Sequence, residues 1–130
     1  MLIKWVGNIL RTDSNVTALV AAVNISYGLR PQQFDTLPAI NFFEIAETVR
    51  DNMLVGTHSV QISARAVKLD DAVSVSEACS RALYRFDPRT AQSVDVQRVW
   101  HGGRVTMPEP EIDAYHVALT MRFAVLSTVA

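Results

Sequence analysis

The feature that most constrains this chain is a change of apolar period inside one continuous stretch, residues 57–86. In its first half Val60, Ile62, Ala64 and Ala66 alternate with Ser59, Gln61, Ser63 and Arg65. A period of two sends successive side chains to opposite faces, so this half reads as a strand with one buried face. In the second half Ala72, Val75, Ser76, Cys79, Ala82, Leu83 and Phe86 recur at spacings of three and four, lining one side of an α-helix. Asp70 and Asp71 stand at the switch, where side-chain oxygens can cap free N–H groups and negative charge suits the helix dipole. Asp87 precedes Pro88, and the residue before a proline is disfavoured in helical geometry, so the helix is expected to close there.

Leu2, Trp5, Val6, Ile9 and Leu10 form a first helical stripe, and Val16, Leu19, Val20 and Val23 a shorter second one. Thr12, Asp13, Ser14 and Asn15 separate them, and all four residue types favour caps and turns. Short helices of this kind are not stable alone and must dock on something. Residues 27–38 read as an extended loop punctuated by Gly28, Pro31 and Pro38. A loop of that length in a compact domain is often functional. Phe34 is expected to pin it to the core, and becomes a contact anchor if it stands outside. Residues 39–49 form the next strand. Ile40 and Phe42 share a face with Glu44, while Phe43 and Ile45 share the other with Asn41 and Glu47. Such a strand either lies in the middle of the sheet or has helices on one side and another subunit on the other. Arg50, Asp51, Asn52 and Gly56 predict a turn into an antiparallel neighbour.

Residues 93–107 look extended, with Val94, Val96 and Trp100 in a partial alternation that Arg98 breaks. His101, Gly102 and Gly103 predict a bulge or tight turn. Residues 108–113 read as an acidic, proline-punctuated connection. The last strand alternates most cleanly, with Tyr115, Val117, Leu119, Met121, Phe123 and Val125 on one face and His116, Ala118, Thr120 and Arg122 on the other. Burying that apolar face contributes on the order of 1.5–3 kcal/mol per large side chain. The element order is α, α, β, β, α, β, β. It predicts an α+β fold: a mostly antiparallel sheet of about four to five strands packed with N-terminal helical segments and one central helix. One domain is expected over residues 1–130, with helices in 2–23, the loop at 27–38, and strands and helix in 39–127.

Hydrophobic residues at 49% and charged residues at 19% are enough for a core and argue against disorder. The longest mostly apolar run, residues 16–23, is far short of the ~20 residues that cross a bilayer, so no membrane partner is expected. The first ten residues lack the pattern of an export signal. The lone Cys79 falls on the apolar helical face and is expected to behave as a small core residue. Without export, the glycosylation-like triplets at Asn15 and Asn24 are chance matches, and a reducing, intracellular setting is expected. A formal net charge of -1 supplies no bulk positive field for nucleic acid. Charge is unevenly placed, however: Arg81, Arg85, Arg89, Arg98 and Arg104 are followed by Glu109, Glu111 and Asp113. Arginine's planar fork suits fixed ion pairs at interfaces.

No nucleophile elbow, phosphate-binding loop, His-Glu-x-x-His pattern or paired-cysteine zinc pattern occurs. His58, His101 and His116 have no ligand spacing. No catalytic, cofactor-binding or metal residue is therefore assigned, and no cofactor is expected. Trp100 between Arg98 and Arg104 is the single aromatic and basic cluster of the type an RNA-binding sheet would present.

Three stretches carry a family resemblance. Arg30, Pro31 and Gln32, followed by Leu37, Pro38, Ala39 and Ile40, resemble the proline-marked entry to the first strand in the tail-completion, or tail-terminator, proteins of long-tailed phages. An alternating strand running directly into a helix, as in residues 58–86, and a final strand like residues 115–123 are similar to the same family. The match covers roughly residues 6–127. Ala39 stands where the family usually has an aromatic residue, and the turn before the last strand is rich in proline and glutamate rather than aspartate and glycine. The resemblance implies a non-enzymatic virion protein, assembled in the host cytoplasm, that forms a ring, typically a homo-hexamer, at the head-proximal end of the tail. Its implied partners are the tail tube protein and the head-tail connector or stopper, with DNA passing through the lumen without sequence-specific binding. Rings need heterologous interfaces. The residues assigned to such contacts are Arg30, Phe34, Phe43, Glu47, Arg50, Arg65, Arg98, Trp100, Arg104, Glu109 and Glu111. Competing readings are a head-side stopper or adaptor ring, a small cytosolic enzyme built on His58, His101 or His116, and an RNA-binding sheet domain.

Overall fold

The alternating stretches pair as strands, and their apolar faces build the core. The computed structural model describes residues 2–28, 37–49, 55–84, 95–110 and 113–126. Its elements are α1 (Leu2–Thr12), α2 (Ser14–Thr17), a 3-10 turn (Ala22–Asn24), β1 (Ile25–Tyr27), β2 (Ala39–Val49), β3 (Val55–Ala66), α3 (Leu69–Tyr84), β4 (Asp95–Glu109) and β5 (Ala114–Leu126). The strands form one five-stranded sheet in the order β1-β2-β3-β5-β4. β1 runs parallel to β2, and the other neighbouring pairs are antiparallel. This is the expected α+β architecture, and β3 pairs on both sides, with β2 and with β5.

One face of the sheet is apolar and carries the helices. Ile40 and Phe42 of β2, Val60 and Ile62 of β3, and Leu119, Met121 and Phe123 of β5 are all buried. The stripes of α1 (Leu2, Trp5, Val6, Leu10) and α3 (Val75, Cys79, Ala82, Leu83) join the same cluster. Trp5 meets Phe123 edge to face at 5.9 Å. Gly7 lets α1 approach β2 closely, since a Cβ there would lie 2.7 Å from Phe42 Cζ. Cys79 lies in the core as its position on the stripe predicted; burial above all, then the nearby Asp13 charge, pushes its thiol up to about 12.

The polar break between the first two helices is a cap. Asp13 Oδ1 accepts from the N–H groups of Asn15 at 2.9 Å and Val16 at 3.0 Å, seating Val16 in the core. Asp13→Ala is expected to cost about 1 kcal/mol, measured as a shift in the urea midpoint with unchanged m-value. Asp70 and Asp71 act differently from a cap. The helix begins at Leu69, so both lie within its first turn, where their charge complements the dipole. Phe86, Asp87 and Pro88 lie outside the described residues.

Four boundaries differ from those the sequence predicted. The second helical stripe does not run on to Val23: α2 ends at Thr17, a 3-10 turn takes Ala22–Asn24, and Leu19 and Val23 are exposed while Val16 and Val20 are buried. Tyr27 is not loop but the end of β1, where Ile25, Ser26 and Tyr27 match Ile40, Asn41 and Phe42. A three-residue parallel contact leaves no local pattern to read. Gly56 is not in the turn but in β3, paired with Val49. Pro108 and Glu109 continue β4 opposite Tyr115 and Ala114 instead of opening the connection. β4 is the outermost strand, where a proline's missing N–H costs no ladder bond. No helix among the described residues is long and apolar enough to cross a membrane.

Candidate functional site

The sheet's second face is polar where the first is apolar, and part of it is buried. Arg65, at the end of the alternation in β3, stands opposite His116 of β5. Its Nε donates to Glu109 Oε1 at 3.1 Å, and one Nη donates to Asn41 Oδ1 at 3.2 Å. Asn41 Nδ2 in turn donates to the Gly28 carbonyl at 2.7 Å. His116 Nδ1 lies 2.8 Å from the same Glu109 oxygen. The row therefore crosses the sheet from the residue after β1 to β4. Arg65 and His116 are each only 7% exposed, so this row is an internal brace that presents little of either side chain to solvent.

The bond to Glu109 fixes the imidazole tautomer. Nδ1–H donates to the carboxylate, which leaves Nε2 as a bare acceptor, and Nε2 is buried without a partner. A proton on Nε2 would be a buried unpaired donor. Accordingly burial first, and then the Arg65 charge, hold the His116 pKa below its usual 6.5, with Glu109 opposing them. A depressed imidazole pKa means the unfolded chain takes up a proton before the folded one. Stability is thus full above the ordinary imidazole range and falls as pH drops through 6.5 towards the folded value. Urea titrations at neutral and mildly acidic pH are expected to show a smaller acid loss for His116→Gln than for wild type.

The outer strand β4 is bent by two register shifts, at Val96/Arg98 and His101/Gly103. The second is the expected glycine-marked bulge, with Gly103 N–H donating to His101 Nδ1 at 3.1 Å. Bulges and charges on an edge strand discourage indiscriminate pairing. The Arg98 guanidinium lies 5.3 Å from the Trp100 ring centroid, and Trp100 stands opposite Arg122. This aromatic and basic group therefore sits at the sheet's edge rather than its centre. Beyond the bulge Val105 and Met107 are exposed.

On the helical side, β4 runs past α3 and leaves a groove of about 520 Å³. Arg104 and His101 line it from β4, Ser76, Glu77, Ser80 and Arg81 from α3, and Leu119 from β5. Glu77 reaches Arg104 at 3.9 Å and Arg81 at 4.0 Å, both at the outer limit of an ion pair. A second recess, of about 370 Å³, lies at the opposite end of α3. Leu19, Pro38, Val67 and Asp71 line it, and Leu19 and Val67 are exposed.

Of the residues assigned to contacts from sequence, the structure brings Arg65 and Glu109 together inside the chain. Arg98, Trp100 and Arg104 lie along β4. Phe43 is half-buried on the second face, opposite Gln61. Glu47 lies in β2 opposite His58. Arg30, Phe34, Arg50 and Glu111 lie outside the described residues. Nothing local in the sequence marks Asn41, Ser76 or Glu77 as contact residues: the first looks like a strand polar residue, and the others like parts of one helix. Among the described residues no three His, Cys, Asp or Glu side chains converge as a metal site.

No protein-family model matches the chain, and no curated protein matches it. A chain in a solved structure described as the virion of a native gene transfer agent (GTA) particle superposes with a TM-score of 0.75. The alignment covers 94% of this chain and 92% of that one, at 20% identity. The two chains share a fold.

Proposed function

We propose that this chain is a structural virion protein: a tail-terminator subunit that forms a homo-hexameric ring, caps the tail tube and joins it to the head-side connector. The observation that carries this reading is the fold shared, over nearly the full length of both chains, with a chain of a gene transfer agent virion. Sheet geometry supports it. The outer side of β4 has no strand partner among the described residues, and β1 pairs with only three residues of β2. Two different sides of the subunit are thus available for the heterologous contacts that close a ring. The reactive side chains are occupied in ways that suit a structural role. Cys79 is a buried thiol with its pKa raised to about 12, and His116 is tied to Glu109. DNA passing through the lumen would meet a subunit of net charge -1, which suits passage without tight binding.

Deleting the gene and imaging the particles by electron microscopy tests this. Overlong or unjoined tails are the expected result. Tails of normal length beside DNA-leaking heads would move the protein to a head-side stopper or adaptor ring, and intact infectious particles would overturn the structural role altogether.

A further inference from the structure

We infer that the groove between α3 and β4 receives Asp70 and Asp71 of a second copy of this chain, in a head-to-tail contact along the α3 helices. The inference rests on the ring reading above and names its interface.

The groove is built for an anion. Arg81 and Arg104 bring two guanidinium groups to it, and one carboxylate, Glu77, lies at about the limit of pairing with each. One negative charge against two positive ones leaves the site with a net positive charge. At its α3 wall Ser76 Oγ is buried and has no hydrogen-bond partner. Buried hydroxyls are normally satisfied, and one lining a cationic groove is suited to donate to an incoming carboxylate oxygen. The arginines are free to move onto a ligand: the Arg81 side chain is 67% exposed and that of Arg104 is 36% exposed.

The complementary surface lies on the same molecule but cannot reach its own groove. Asp70 and Asp71 are exposed in the first turn of α3 and hold no ion-pair partner among the described residues. From Asp70 to Arg81 the helix rises about 16 Å, so the acidic and basic ends face different neighbours. Lys68 lies beside the two aspartates, and that end still carries net negative charge. Acid at a helix start and base near its end also suit the dipole of a single copy. Arg104, however, comes from β4 and owes nothing to the dipole of α3. Charged groups on opposite ends of one subunit can pair head to tail, the heterologous arrangement that closes rings, or reciprocally in an antiparallel two-fold dimer. Assemblies larger than a dimer are expected here, and a dimer that grows no further would overturn the head-to-tail contact. The apolar residues beside the aspartates, Leu19 and Val67, extend the same contact surface.

Charge reversal in halves tests the contact. One protein carries Asp70→Arg and Asp71→Arg, a second carries Arg81→Glu and Arg104→Glu, and a third carries all four changes. Mass photometry over a concentration series reads association, and circular dichroism checks that each protein is folded. Each half-reversed protein alone is expected to lose about tenfold or more in association, because like charges then meet. The four-fold variant, and an equimolar mixture of the two half-reversed proteins, are expected to recover it. Asp70→Asn with Asp71→Asn, which spares the helix start, is expected to show a milder loss. Wild-type rings that persist in both half-reversed proteins would overturn this contact, as would losses that neither combination repairs. A wild-type protein that stays monomeric even with tail tube protein present would remove the ring reading itself.

Discussion

Replacing Phe42 with alanine is expected to destabilise the fold by about 3–5 kcal/mol, the range for truncating a large buried aromatic. Phe42 is 2% exposed and is the point where three elements meet. The edge of its ring fills the space left by Gly7 of α1. The Arg11 guanidinium lies 5.6 Å from its centroid, and the Tyr27 ring packs against it at 6.1 Å. Gly7 supplies the control. Gly7→Ala in the wild-type background overpacks the ring and is expected to cost about 1–3 kcal/mol. In the Phe42→Ala background the clash is gone, and the same change should turn neutral or stabilising, since alanine gains about 1 kcal/mol over glycine within a helix. Urea unfolding of the four proteins at one fixed concentration measures the cycle. Additive losses would mean that α1 does not lean on this ring.

Arg65→Ala is the second large effect, expected at about 3 kcal/mol near neutral pH. Removing one partner of a buried ion pair leaves the other desolvated and uncompensated. Here Glu109 and Asn41 Oδ1 both lose a donor. The Glu109 side chain is 25% exposed, so water softens the loss to the low end of the usual range. A second variant separates charge from packing. With Glu109→Gln already present, Arg65→Ala strands no carboxylate and should cost less than half as much. Equal costs in the two backgrounds would show that Arg65 acts through its alkyl chain alone. The Arg65 charge is also one of the causes that hold His116 down. Its removal should therefore flatten the loss of stability on acidification.

How much the chain discloses in advance depends on whether a pattern is local. β3 and β5 were legible because each buries one face and leaves the other polar, so eight or more residues repeat one rule. α3 was legible for the same reason at a different period. β1 was not: three residues paired in parallel with a strand that begins at Ala39 have no period. The Arg65 brace was equally hidden. Arg65 and Glu109 are 44 residues apart, and they meet only because the register places Arg65 opposite His116 and the β4–β5 hairpin brings Glu109 back. The bases of the α3–β4 groove were visible as an arginine-rich region, but their convergence depends on how α3 lies across the sheet.

The broken alternation in β4 has its own explanation. Val96 and Val99 both face the core side, paired with Val125 and Phe123, although they are three residues apart. The shift between Val96 and Arg98 makes that possible. The shift at His101/Gly103 then does it again, so that Arg104 lies opposite Leu119 on the helical side while Val105 lies opposite Ala118 on the other. Gly102 is the extra residue of this bulge, so loss of one glycine would close it and leave Arg104 and Val105 opposite the same partners. Beyond the pair there is no spare residue to absorb a deletion. Because side chains alternate strictly, loss of Val105 would move Met107 to the helical side and exchange the faces of the residues that follow. Length should therefore be held more tightly between Arg104 and Glu109 than at the glycine pair itself.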